Sequence, residues 1–319
     1  MKLMVCANPR IGRLPDFDLP VDKLSTWQRD CVLALKRALA DAKEKGAQAC
    51  FIAGGLFCEG FVPQSLVDVT ISVLSGAEIP IWIAQGKGET KLLSDIRNVV
   101  LVQGDEKAVA IDGLGVWYCY RCDFDAPHNA ARAKCNILIE RIRDEVDILF
   151  GEADRKKLSV GPVEPYSFEC VLPSGYCLLD SDDPQANPVW VRRAIHPTIV
   201  VEPDIDGSAD TKKLVASIKE KVKDIDRSAC VRIELRGKVK LGVYYNPVAL
   251  ENSLSDRFYY AEIIDLCFAD VDADELELDV SLLAEFVRQV MSDDSLSKPE
   301  QTRILRCGWN VLNGKRTIE

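Results

Sequence analysis

A chain of 319 residues is more than one small hydrophobic core holds, and it predicts two domains with room for a tail. Apolar residues at 47% and charged residues at 28% are ordinary globular usage. The net charge of −10 argues against a general nucleic-acid coat, because phosphate binding relies on clustered Lys and Arg, though it leaves room for a local basic strip.

The chain opens on a continuous apolar run over 2–7, the pattern of a strand buried on both faces. Residues 26–45 follow as an amphipathic helix, with Trp27, Cys31, Ala34, Leu35, Ala38 and Ala42 on one stripe and Gly46 as its stop. A strand over 49–53, a helix from Pro63 to Leu74 and a strand over 79–84 complete an alternating β/α series. The short runs 99–102, 108–111 and 114–118 predict a second sheet. A helix is expected across 128–143, then strands over 146–150 and 168–172, with turn chemistry at 181–188.

Residues 202–208 read as a linker. A helix over 210–223, an alternating strand starting at Val231 and a strand over 258–264 then form a smaller α+β unit. The tail is predicted as two helices, 281–291 and 299–312, separated by Asp293, Asp294 and Ser295.

No stretch approaches 18 apolar residues, and the N-terminus lacks a long apolar segment, so the expectation is a cytoplasmic protein without membrane contact. The 12 cysteines mostly sit inside apolar runs, where reduced Cys behaves as a small buried hydrophobe, and disulfides are not expected.

Three strands end in loops that carry the most information: Asn8, Pro9, Arg10, Ile11 and Gly12 after the first, Gly54 to Phe57 after the second, and Gly86 to Glu89 after the third. Their order, framing glycines and spacing resemble the start of the calcineurin-like metallophosphoesterases, specifically the SbcD/YhaO-type DNA repair exonuclease subunits. That family carries Asp-x-His-x-Gly, Gly-Asp-Leu-Phe and Gly-Asn-His-Asp at these three positions. Weaker likenesses continue through Ala229–Gly237, similar to the family's capping-domain strand, and Ile304–Lys315, similar to its C-terminal ending.

The resemblance implies an α/β fold, a four-layer α/β/β/α sandwich over 1–202. An α+β capping domain over 203–275 and a helical tail over 276–319 follow. It also implies a two-metal phosphodiesterase site, in which paired ions activate water and stabilise the attacking and leaving oxygens. The positions that correspond to its ligands here are Asn8, Arg10, Gly55, Lys87, Gly88, Glu89, either Gly151 or Glu152, Gly175 and Cys177. Arg10 does not coordinate a cation, Gly55 has no side chain, and Lys87 brings a positive charge. Independently of any alignment, the whole chain has only two histidines, His128 and His196, and neither falls at a ligand position. The site is therefore vestigial, no cofactor is expected, and the chain reads as an inactive homologue acting as scaffold or regulator of an SbcC/YhaN-like ATPase through its C-terminal helices.

Two other readings stand beside this one. A working manganese-dependent exonuclease or phosphoesterase would rebuild its ligand set from Asn8, Glu89, Glu152 and Cys177. An anion sensor would use Arg10 and Lys87. Arg232, Arg236, Lys238 and Lys240, on one face of the alternating strand, are either a solvated face or a contact for DNA or a partner. Cys119 and Cys122 form a CxxC without the second pair a zinc site wants, and it reads as coincidence. A homodimer stays open.

Overall fold

The structure, a computed structural model, describes residues 1–53, 55–84, 90–102, 106–111, 114–119, 135–142, 145–150, 156–170, 174–180, 182–183, 187–203, 211–240, 245–270 and 279–312. The chain is a mixed α/β protein that divides into two compact units, Met1–Pro197 and Thr198–Glu319.

The first unit is built on a six-stranded mixed sheet. Strands β1 (Lys2–Ala7), β2 (Ala47–Ala53), β3 (Ile81–Ala84) and β4 (Val99–Val102) are parallel neighbours in chain order. Strand β10 (Gly175–Asp180) lies antiparallel on the other side of β1, and β11 (Val189–Arg192) closes that edge. Helix α1 (Val21–Glu44) connects β1 to β2, α2 (Gln64–Ser75) connects β2 to β3, and the short α3 (Thr90–Leu93) precedes β4.

Parallel strands need crossovers, and the amphipathic stripe of α1 supplies one. Its Ala34, Leu35, Ala38 and Ala42 are buried in one core with Met4, Cys6, Cys50 and Ile52 of the sheet. Helix α1 starts five residues before the expected 26, directly after Pro20, with Asp22 in its first turn where the helix dipole favours a negative charge.

A second sheet carries β5 (Glu106–Ile111), β6 (Leu114–Cys119), β7 (Cys135–Ile142), β8 (Glu145–Phe150) and β9 (Lys156–Val160), side by side in that order. Three expectations change here. Val99–Val102 pairs with β3 and belongs to the first sheet. The helix expected across 128–143 is, where it is described, strand β7, parallel to β6 and antiparallel to β8. Its run of Ile137, Leu138, Ile139 and Ile142 is rich in β-branched residues, and pairing on both sides outweighs a weak helical period. The strand expected over 168–172 begins instead as a turn at 168–169, and the strand of this region is β10.

The second unit starts at β12 (Thr198–Val201), before the boundary expected at 202. This strand pairs in parallel with β13 (Cys230–Leu235), which pairs in parallel with β15 (Tyr260–Asp265). Helices α4 (Thr211–Lys221) and α5 (Pro247–Ser255) share a core with this sheet through Leu214, Ile218, Leu250 and Leu254 against Val231, Ile233 and Leu235. Asn246 caps α5, its side-chain oxygen accepting from the amides of Val248 and Ala249 with Pro247 in the first turn.

The alternating strand expected from Val231 onward is two strands. Gly237 has φ 129°, a conformation that favours glycine, and beyond it β14 (Lys238–Lys240) pairs with β16 (Phe268–Asp270) in a separate ribbon. The tail is helical as expected. Helix α6 (Leu282–Met291), capped by Ser281, packs through Val287 and Val290 on Leu305 of α7 (Lys298–Leu312). A Cβ at Gly308 of α7 would lie 2.1 Å from Phe286 Cζ, so the two helices approach where a side chain is missing. Among the described residues no helix is long and apolar enough to cross a membrane.

Candidate functional site

In an open sheet with parallel strands, ligand sites form beyond the carboxyl ends of those strands. Here the loops after β1 and β2 leave the sheet side by side. The amide of Asn8 donates to the Ala53 carbonyl (2.8 Å), that of Arg10 to Gly55 (3.1 Å) and that of Ile11 to Leu56 (2.8 Å). Asn8, Arg10 and Gly55 thus converge at the carboxyl ends of β1 and β2.

The first loop is also strained. Asn8 (φ 41°) and Arg10 (φ 43°) are, among the described residues, the non-glycine positions with positive φ. Asn tolerates this region, but for Arg it costs about 1–2 kcal/mol. Asn8 is buried, and a Cβ at Gly55 would sit 3.1 Å from the Phe57 carbonyl oxygen, so that loop is fitted tightly to its glycine.

Gly175 begins β10 at the same edge. Its amide donates to the Pro162 carbonyl (3.0 Å), and Pro162 bridges Ala7, the last residue of β1. Gly175 has φ 140°, and a Cβ there would stand 2.1 Å from the Val191 carbonyl oxygen. Cys177, in contrast, lies inside β10 opposite Val5, fully buried, and burial pushes its thiol up to about 12. Its place in β10 is that of a small apolar side chain in the core. Lys87, Gly88, Glu89 and Glu152 lie outside the described residues, as do His128 and Cys122.

A ring of cationic and aromatic groups borders the first loop. The Arg13 guanidinium lies 3.6 Å from the centre of the Tyr166 ring and that of Arg10 5.8 Å, while Arg13 also pairs with Asp16 at 3.1 Å.

A polar cluster that no local pattern marks joins α1 to the segment after β11. His196 stacks on Trp27 of α1 (5.6 Å between ring centres) and its Nε2 is 2.9 Å from Asp30 Oδ2. The carboxylate of Glu164, 3% exposed, accepts the amides of Ile195 (2.8 Å) and His196 (2.6 Å). A second network joins α1 to β10 and to the residue after β11: Arg193 grips Asp41 with Nε (3.0 Å) and Nη2 (2.6 Å), and Lys45 and the Tyr176 hydroxyl bond the same carboxylate. These bonds, Arg193's foremost, hold the Asp41 carboxyl well below the usual carboxylate range against the opposing effect of burial.

In the second unit the basic strip is matched by carboxylates. Arg232 pairs with Glu262 directly across the strands, Arg236 with Glu234 and Glu202, and Lys238 with Asp270. Cross-strand pairing of opposite charges steadies a sheet and leaves less positive potential for phosphates. The side chain of Lys240 is outside the described residues.

Two divalent cations need a dense set of oxygen and imidazole donors. At the described positions of this edge the set is a neutral amide, a guanidinium, two glycines and a buried thiol, which does not fit such a pair. No protein-family model matches the chain, and no curated protein matches it.

Proposed function

We propose that the chain is a non-catalytic relative of the SbcD/YhaO-type exonuclease subunits, with their four-layer α/β/β/α first domain, acting in the cytoplasm as scaffold or regulator of an SbcC/YhaN-like ATPase. One observation supports this reading: neighbouring parallel strands β1 and β2 bring their loops together, and the residues delivered there offer a neutral amide (Asn8), a guanidinium (Arg10) and a position without a side chain (Gly55). The partner surface is assigned to the tail, where Leu282, Met291, Val311 and Leu312 are exposed apolar side chains on the paired helices.

The test has two arms. Calorimetry with manganese on metal-stripped protein, followed by nuclease assay on single- and double-stranded DNA, is expected to give neither binding nor cleavage. Stoichiometric binding with turnover lost on Asn8→Ala or Glu152→Ala would replace the reading with the rebuilt-ligand enzyme. Co-purification with a co-expressed ATPase of that type, weakened by Leu282→Asp, supports the partner role; a clean failure removes it.

The anion-sensor reading rests on Arg10 with Lys87, of which Lys87 lies outside the described residues and the Arg10 guanidinium lies 5.8 Å from the centre of the Tyr166 ring. Phosphate titration that is saturable in the wild type and abolished by Arg10→Ala would establish it; no saturable binding would remove it.

A further inference from the structure

One side of α1 and the end of β11 border a cavity of about 380 Å³ that shares no lining residue with the loops after β1 and β2. Helix α1 contributes Arg37, Ala40, Asp41 and Glu44, whose spacing places them along one face. Arg192, the last residue of β11, and Arg193 after it form the other wall. Three guanidiniums therefore share one concave surface on a chain whose net charge is −10.

The three are not equivalent. Arg193 is fixed by its two bonds to Asp41, a carboxylate that Lys45 and the Tyr176 hydroxyl also hold. Its Nη1 takes part in neither bond. Among the described residues Arg37 and Arg192 have no hydrogen bond or ion pair, and Arg37 bears on the buried Glu164 carboxyl through charge alone. Glu44, the other carboxylate of the lining, likewise acts on Arg193 without pairing directly with it.

We propose that this cavity is a binding site for a phosphoryl group, held by Arg37 and Arg192 with Arg193 as a fixed third donor.

Guanidiniums gathered without counter-charges repel one another, and a bound oxyanion offsets that repulsion while accepting their forked N–H groups. Asp41 does not serve Arg37 and Arg192 in this way, because its bonds go to Arg193, Lys45 and Tyr176. A phosphoryl group carries oxygens in several directions, which suits donors arriving from a helix and from a strand end. The cavity falls in the range of about 300–1,000 Å³ that small-molecule sites occupy, so it has room for an organic substituent on the phosphorus. Glu44 repels the same ligand and limits its affinity.

The experiment is calorimetric titration of the full chain at low ionic strength with inorganic phosphate and, separately, with glycerol phosphate. Saturable binding is expected, weakened about tenfold in Arg37→Gln and in Arg192→Gln. Glu44→Gln is expected to tighten it about two- to threefold, a gain that a merely structural role would not produce. Arg10→Ala is expected to leave it unchanged. Tighter binding of glycerol phosphate assigns the site to a phosphate monoester, and equal or weaker binding assigns it to the free ion. No saturable binding of either probe overturns the proposal, as does binding that both glutamine variants leave intact. Binding lost in Arg10→Ala also overturns it, because the anion then sits at the first loop.

Discussion

Arg306 Nη1 lies 2.8 Å from Asp265 Oδ2 and 3.0 Å from the Tyr245 hydroxyl, and the Tyr245 hydroxyl in turn donates to Asp265 at 2.7 Å. This triad joins α7, near the end of the chain, to the end of β15, with the guanidinium stacked 4.2 Å over the Tyr245 ring. The tail is thus docked on its own unit, while Leu282, Met291, Val311 and Leu312 of the helix pair stay exposed.

Removing the cation leaves Asp265 and the buried Tyr245 without their shared donor. Arg306→Met is expected to destabilise the second unit by about 2 kcal/mol. Hydrogen exchange checks this: amides of α7 should lose protection more than those of α4, and equal loss across the unit would mean that the triad is not a local latch.

Gly175 stands where a Cβ would overlap the Val191 carbonyl oxygen, with a backbone angle that L side chains rarely adopt. Gly175→Ala is expected to cost about 3 kcal/mol or more by forcing β10 and β11 apart. Urea unfolding followed by Trp190 fluorescence measures it. A cost under about 1 kcal/mol would show that the edge relaxes freely.

Arg10 holds a left-handed backbone that glycine adopts without strain. Arg10→Gly is therefore expected to relieve about 1 kcal/mol of backbone strain in the first unit. A midpoint shift in thermal unfolding reads the sign directly; destabilisation would mean that the guanidinium contributes more than the strain.

Asp41 is depressed below its ordinary value of 3.8 by Arg193 first, then by Tyr176 and Lys45. A folded-state value below the unfolded one gives stability that is present above about 3.8 and lost as pH falls further. Asp41→Asn should thus be less stable than wild type at pH 7, and the gap should close on acidification below about 3.8. Parallel denaturant curves at pH 7 and pH 3 decide this, and a gap independent of pH would assign the effect to packing.

Much of the first sheet was legible in the sequence alone. The apolar run of β1, the stripe on α1 and the tail helices carry their periodicity in adjacent residues. Strand β7 was not, because its apolar residues admit both a helical and an extended reading, and only pairing with β6 and β8 separates the two. The basic strip was legible as residues but not as charge: Glu262 lies 30 positions beyond Arg232 and becomes its neighbour only through strand register.

The sequence by itself determined which residue types are at hand: two histidines in 319 residues, and glycine, arginine and lysine in the loops that follow the first three strands. Tertiary structure decided what stands near what. Asp30, Glu164 and His196 come from three distant segments, and a buried carboxylate beside two amides is defined by backbone pairing rather than by local pattern. Periodicity records which face of an element is buried, whereas a hydrogen-bond partner is chosen by the fold as a whole.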